Sequence, residues 1–333
     1  MRERPRDIAG HPPVPGGVRA LGLGLAIAAL GACAPLPELR MTEPESPGEE
    51  PGPAAIAPEP SERSEAVRRF FATQEETLRS RGLMRTDGGG TDTPITSNML
   101  VENFVRIALF DEYTVVDGRL VGRPTPTVLR RWTAPVRMRM EFDDLVPPPQ
   151  RSQDLRDVRE YAERLGDLTS HPVRMIDPDR PASEANFHVL VLHEDTRRDY
   201  GGRLRELVPG IDDLTVRTIT EMPTSVSCLV VAFTREGTNS YRDAIAVVRA
   251  ELPELTRLSC YHEELAQGLG LPNDSDDARP SIFNDTEEFA LLTRHDEMLL
   301  RMLYDSRLRP GMDAAEARPI LRRIASEFMT GEG

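Results

Sequence analysis

The most informative stretch of the chain is Cys260-Tyr-His-Glu-Glu-Leu-Ala-Gln-Gly-Leu-Gly-Leu-Pro-Asn273. Its apolar residues recur at helical spacing, so the sequence predicts a helix over residues 255–271. Gly268 and Gly270 each cost about 1 kcal/mol relative to Ala inside a helix, so they require a packing or turning reason. Pro272 disfavours helical backbone at the residue before it, which places the predicted helix end near Leu271.

Polar residues of this segment stand at the offsets that zinc peptidases use. In those enzymes an H-E-x-x-H helix carries two metal ligands beside a general-base Glu, and the metzincin extension adds a turning Gly and a third ligand. With Glu264 at the general-base position, Glu263, Gln267 and Asn273 fall on the three ligand positions, and Gly270 falls on the turning Gly. The pattern E-E-x-x-Q-x-x-G-x-x-N therefore resembles a metzincin site in which an oxygen donor replaces each His.

The chemistry of these donors leaves three alternatives open. Zinc prefers imidazole and thiolate, whereas carboxylate and amide oxygens suit a divalent ion such as calcium, magnesium or manganese. The segment is either an atypical metal-dependent peptidase with Glu264 as general base, or a pseudopeptidase whose cleft binds extended peptides. In the third alternative the match is accidental, and Glu263 and Glu264 form a solvated helix face. His262 is expected to be a hydrogen-bonded packing residue.

The rest of the chain predicts an α+β domain. Val136–Phe142 alternates apolar and charged residues as a half-exposed strand does, and Ser152 is expected to be the N-cap of a long helix. Further predicted helices cover Met99–Leu109 and Phe289–Tyr304, and further strands cover Val173–Ile176, Phe187–Leu192, Cys228–Phe233 and Ala244–Val248. This order resembles the zincin fold, which implies a mixed sheet, a long backing helix, an edge strand and a site helix.

The segments Ser281-Ile-Phe-Asn284, Leu303-Tyr-Asp305 and Pro310-Gly-Met312, together with Tyr261, carry a second resemblance. They are similar to an uncharacterised domain family of alphaproteobacterial envelope lipoproteins, a family of unknown function close to zincin-like peptidases. The resemblance covers residues 95–315. It implies a fold and a peptidase ancestry, with no established activity.

The N-terminus predicts export and lipid attachment. Residues 1–32 have the Arg-containing leader and apolar core of a signal peptide, which ends in Leu30-Gly31-Ala32-Cys33. This ending resembles the lipobox of bacterial lipoproteins, which implies acylation of Cys33 and insertion into the lipid bilayer. Because neither Ala34 nor Pro35 is Asp, the resemblance favours the outer membrane, with the protein facing the periplasm. The alternative is an ordinary signal peptide that is cut elsewhere.

Differences in composition predict how the rest of the chain is divided into segments. Residues 33–65 are acidic and rich in Pro, as in a solvated tether. Residues 66–94 predict a short helix and a Gly-rich linker, residues 95–318 the zincin-like domain, and residues 319–333 a C-terminal tail.

With Cys33 lipidated, Cys228 and Cys260 form a single remaining pair in an oxidising compartment. We therefore expect a disulfide between the predicted edge strand and the start of the site helix. The alternative is two separate buried thiols.

The net charge excludes one class of binding partner. The formal charge of −14 excludes a nucleic-acid binder held mainly by charge, because phosphate binding needs a basic surface. The expected partners are the lipid bilayer and extended peptides or envelope proteins. The alternative function is a non-catalytic lipoprotein that scaffolds an envelope assembly.

Overall fold

A computed structural model describes residues 59–116, 119–177 and 179–331. These residues belong to one packed unit. The predicted signal peptide, Cys33 and most of the tether lie outside the described residues.

Helices and strands alternate along the described chain. The helices are α1 (Glu62–Ser80), α2 (Ser97–Ala108), α3 (Pro148–Thr169), α4 (Glu194–Asp199), α5 (Gly201–Leu207), α6 (Asp213–Thr220), α7 (Glu254–Gly270), α8 (Arg294–Tyr304) and α9 (Ala314–Thr330). The strands are β1 (Phe110–Val116), β2 (Arg119–Pro126), β3 (Arg131–Trp132), β4 (Val136–Phe142), β5 (Val173–Met175), β6 (Phe187–Leu192), β7 (Cys228–Thr234) and β8 (Ser240–Arg249).

The main sheet is mixed, as predicted for an α+β domain. Its order is β3-β8-β6-β4-β5 with every pair parallel, and β7 pairs antiparallel with β8. Strands β1 and β2 form a separate antiparallel hairpin. Within the described residues β7 pairs only with β8, so it is the edge strand that the sequence predicts.

Both faces of the sheet are covered. Along β6, Phe187, Val189 and Val191 join the core that also contains residues of α2, α3, α7, α8 and α9. Leu190 and Leu192 point to the opposite face and pack with residues of α5 and α6. Because successive strand residues point to opposite faces, a strand that is buried on both sides is apolar throughout.

Two helices begin at residues other than the predicted ones, because prolines or capping side chains determine where they start. The predicted N-cap at Ser152 is wrong, because α3 begins at Pro148 with prolines in its first turn. Proline fits there since its missing N–H has no intrahelical partner anyway. Helix α8 begins at Arg294 and not at Phe289, because Thr293 and Asp296 form a capping box. The hairpin β1–β2 and helices α4 to α6 have no counterpart among the predicted elements.

The packed unit extends beyond the predicted boundaries of 95 and 318. Helix α1 packs on the domain, and its Glu75 accepts hydrogen bonds from the backbone N–H and hydroxyl of Thr256, at 3.0 and 2.7 Å. Glu75 thereby satisfies an unpaired donor in the first turn of α7. In the segment predicted as a short helix and Gly-rich linker, Arg85 forms an isolated parallel β-bridge with Phe289. At the other end, α9 runs through the predicted boundary and packs on α2.

Within the part of the chain that the structure describes, no helix combines the length and the apolar character needed to cross a bilayer.

Candidate functional site

Helix α7 is held firmly at its C-terminal end. The indole N–H of Trp132 donates to the carbonyl of Gly268 at 2.8 Å, and the Tyr304 hydroxyl donates to the carbonyl of Leu269 at 3.0 Å. These bonds satisfy carbonyls that have no partner within the helix. Trp132 is 1% exposed, so it packs in the core and anchors the helix.

Two glycines allow the close packing of this helix end. A Cβ on Gly268 would lie 2.5 Å from the Phe187 ring. Gly270 has a φ of +132°, and a Cβ there would collide with the carbonyl oxygen of Arg130. Gly268 therefore allows close packing against Phe187, and Gly270 permits the turn that ends the helix. These two roles explain why glycines are present despite their cost in a helix.

Two carboxylates lie next to each other on the C-terminal half of α7. One oxygen of Glu263, one oxygen of Glu264 and the Sγ atom of Cys228 all lie within 4.8 Å of one another. Glu264 is 5% exposed, and among the described residues its Oε2 atom has no hydrogen-bond partner. Cys228 is oxidised in a disulfide and offers no thiolate, so the two glutamates are the ionisable groups of this cluster.

The loop that follows α7 brings a third carboxylate, that of Asp274, close to the helix. The Gln267 side-chain amide donates to Oδ1 of Asp274 at 3.2 Å. The backbone N–H of Ser275 donates to the Phe283 carbonyl at 2.8 Å, and this bond holds the loop that carries Asp274 in place. Glu263, Glu264 and Asp274 are hereafter called the carboxylate cluster.

Asn273, the predicted third ligand, has a structural role in the described residues. It is 1% exposed, and its side-chain amide donates to the carbonyls of Arg106 and Asp274, each at 2.8 Å. These bonds fasten the returning loop to α2. The residue in contact with Gln267 is therefore Asp274, one position later than the metzincin offset.

The cluster is electrostatically unfavourable when all its members are ionised. Burial, followed by the charge of Asp274, raises the pKa of both Glu263 and Glu264 well above the usual range. Burial and the charge of Glu112, on β1, raise the pKa of Asp274 to about 8. The strongest neighbouring charges are thus carboxylates, which disfavour further negative charge.

The hairpin β1–β2 and the loop before α8 supply further acidic neighbours. Burial raises the pKa of Glu112 and of Glu287, and the charge of Asp285 adds to both shifts. Burial and the charge of Glu112 also raise the pKa of Tyr113. Sequence reasoning missed Glu112, because no pattern near α7 indicates that the hairpin lies beside it.

His262 points away from the cluster. Its ring stacks on Tyr161 with centroids 4.1 Å apart, and its Nδ1 atom accepts the N–H of Leu292 at 3.0 Å. Burial, together with the charge of Arg164, lowers the pKa of His262 to about 3, so the ring is neutral at neutral pH. The expectation that His262 is a hydrogen-bonded packing residue is confirmed.

Strand β7 presents backbone groups at the edge of the sheet. The N–H of Ala244 donates toward β6, to the Asn186 carbonyl at 2.9 Å, so it does not face β7. Ala232 lies opposite Ala244, and Val230 lies opposite Ala246, the next residue of the same alternation. In an antiparallel pair such residues direct their own N–H and C=O groups outward. The free edge therefore carries the backbone groups of Val230 and Ala232.

The predicted disulfide between Cys228 and Cys260 is confirmed, with Cα atoms 5.9 Å apart. It joins the first residue of β7 to α7, three residues before Glu263. The side chains of Val230 and Ala232 pack toward the same core as α7. The bridge thus ties the free edge and the carboxylate cluster together.

Comparison with known proteins identifies the family. Residues 97–323 match the family described as Protein of unknown function (DUF2927). The chain belongs to this family. The match confirms the predicted membership in an uncharacterised domain family. No curated protein and no solved structure matches the chain.

Proposed function

We propose that this DUF2927 protein is a lipid-anchored envelope protein with a zincin-like pseudopeptidase domain. In this proposal the domain binds an extended peptide as an added strand on β7, beside the carboxylate cluster. The single observation that carries the proposal is the free edge of β7, which the disulfide ties to α7.

The strand order supports the zincin-like part of the proposal. The sheet runs β5-β4-β6-β8 in parallel, with β7 antiparallel beside β8 and the two-residue β3 parallel to the start of β8, and α3 connects β4 to β5 along the chain. Helix α7 follows β8 directly and contacts β7. This arrangement is the one that the sequence resemblance implies for a backing helix, an edge strand and a site helix.

The donor set favours binding over zinc-dependent hydrolysis. His262 is turned away, and the groups at the matching positions are carboxylates and amides. A site without imidazole or thiolate binds zinc weakly. A pseudopeptidase needs only the groove, and strand addition gives affinity through main-chain hydrogen bonds.

Replacing Ala232 by Pro is expected to weaken peptide binding roughly fivefold, because one outward N–H is lost and each net hydrogen bond contributes about 1 kcal/mol. The ladder with β8 stays intact, since this N–H does not face β8 and Pro is tolerated at such edge positions. Short linear peptides selected by phage display on the wild-type protein are the probe, and fluorescence anisotropy measures their affinity.

Ala232→Gly is the matched control, because it retains the N–H and should bind like the wild type. If Ala232→Pro binds the selected peptides as tightly as Ala232→Gly does, the edge is not the binding site. The scaffold function would then be the better account.

The second candidate function is an atypical metal-dependent peptidase, favoured by the buried free oxygen of Glu264 beside Glu263. The selected peptides distinguish the two functions by mass spectrometry after incubation with the protein. Cleavage that Glu264→Gln abolishes, while binding persists, would establish a peptidase. Intact peptides support the pseudopeptidase.

Cys33→Ser is expected to release the protein from membranes when the chain is expressed in a bacterium, because the acyl acceptor is lost. Fractionation by centrifugation and immunoblotting measures the distribution. Ala34→Ser, which keeps the thiol, should sediment with membranes like the wild type. A Cys33→Ser protein that still sediments fully would indicate another anchor.

A further inference from the structure

We propose that Glu263, Glu264 and Asp274 bind a hard divalent cation at the end of α7, with the side-chain oxygen of Gln267 beside them. The set differs from the one that the metzincin offsets predict. Asp274 replaces Asn273, and Glu264 is a ligand and not a general base. The site adjoins the proposed peptide edge and deepens that function, but the cation is tested without peptide.

The geometry brings the donors together from two segments. Oxygens of Glu263 and Glu264 lie within 4.8 Å of each other, a separation that one ion can bridge with small side-chain movements. Asp274 lies beside Gln267, one helical turn after Glu263, where its Oδ1 atom accepts a hydrogen bond from the Gln267 amide at 3.2 Å. The loop that carries Asp274 is fastened by Asn273, so the third carboxylate is positioned before any ion binds.

Glu264 supplies the independent observation that points to a ligand. Its side chain is 5% exposed, and its Oε2 atom has no hydrogen-bond partner among the described residues. A buried carboxylate oxygen without a partner costs free energy, which an ion or a proton would offset. Glu263 and Glu264 lie side by side, so one cation can serve both.

The three carboxylates have no ion-pair partner among the described residues. Within the described residues no ion pair includes Glu263, Glu264 or Asp274, although the chain contains 41 Lys+Arg residues. The strongest charges near these groups come from further carboxylates, including Glu112. Buried charges in proteins are paired with an opposite charge or coordinate a metal.

The donor chemistry selects the kind of ion. Carboxylate and amide oxygens are the ligands that calcium and magnesium take, and they also suit manganese. Zinc is disfavoured because His262 is turned away and Cys228 is held in the disulfide. The expected order of affinity therefore places at least one of the three hard cations above zinc.

The test uses the purified protein after dialysis against a chelator and then against metal-free buffer. Calcium, magnesium, manganese and zinc are added singly, and isothermal titration and thermal unfolding are measured. At least one hard cation should bind and raise the Tm. Glu264→Gln and Asp274→Asn should each weaken that binding by roughly 100-fold, at the upper end of the loss caused by removing a group that supports a metal site.

Asp277→Asn is the matched control, since Asp277 lies exposed on the same loop, and it should bind the cation like the wild type. Both cluster variants replace a carboxylate by a neutral group of the same shape and relieve repulsion, so they should fold. Circular dichroism checks this expectation.

Absence of binding by all three hard cations, or unchanged binding in both cluster variants, would overturn the proposal. Peptide affinity measured in the presence of chelator is a separate readout. A failed cation site therefore leaves the proposed function of β7 standing, and a failed peptide edge leaves the cation site standing.

Discussion

Replacing Glu194 by Gln is expected to lower the free energy of unfolding by about 3–5 kcal/mol, the usual loss when one partner of a buried ion pair is removed. Glu194 is 1% exposed, and its Oε2 atom accepts from Arg197 at 2.7 Å and from Arg249. Both arginines are fully buried. The neutral side chain of Gln would leave two buried guanidinium groups without their countercharge. Urea unfolding of the wild type and the variant measures the difference.

The pH dependence of this difference follows from the pKa of Glu194. Burial by itself raises that pKa, but hydrogen bonds from Arg197 and Arg249 outweigh it and lower the pKa to about 2. Because the folded pKa lies below the ordinary value of 4.5, the stabilisation is complete above pH 4.5 and is lost as the pH falls through about 2. The gap between wild type and variant should therefore be full at neutral pH and shrink toward pH 2.

Arg198→Gln is the control for the Glu194 prediction. Arg198 also donates to Glu194, at 2.7 Å, but its side chain is 44% exposed. Its loss should cost no more than about 1 kcal/mol, as is usual for exposed ion pairs. Equal losses for Glu194→Gln and Arg198→Gln would contradict the assignment of the stabilisation to the buried pairs.

Replacing both Cys228 and Cys260 by Ala is expected to lower the free energy of unfolding by about 3–4 kcal/mol. The bridge spans a sequence separation of 32 residues, and closing a loop of that length removes a corresponding entropy from the unfolded chain. The substitution should also weaken peptide binding, because β7 loses its covalent connection to α7. Urea unfolding and the anisotropy assay measure the two effects.

Reduction provides the control for the disulfide prediction. Dithiothreitol should bring the unfolding midpoint of the wild type close to that of the double Ala variant, and it should leave the variant unchanged. An oxidised wild type that unfolds at the same urea concentration as the double Ala variant would show that the bridge does not stabilise the fold.

Local features of this chain could be predicted because they depend on neighbours in sequence. The helix over 255–271 and the strand Val136–Phe142 follow from periodicity alone, and α7 and β4 agree with them closely. The disulfide was predicted from the count of cysteines together with the predicted export to an oxidising compartment. The glycines at the end of α7 were recognised as needing a reason, although the reason lies in distant residues, Phe187 and Arg130.

The composition of the candidate site could not be predicted from offsets. Asp274, and not Asn273, contacts Gln267, because a loop closed by Ser275 and Phe283 determines which residue returns to the helix. Glu112 joins the acidic surroundings only because the hairpin β1–β2 lies beside α7.

The sequence alone therefore determined the membership of the family, the helix that carries the site, the end of that helix and the pairing of the cysteines. These features depend on residue type and on spacing within a few turns of chain. Tertiary structure decided which carboxylates lie together and which residue of the loop after α7 contacts Gln267. Those outcomes depend on contacts between residues far apart in sequence, such as the hydrogen bond from Asn273 to the Arg106 carbonyl, which no local pattern encodes.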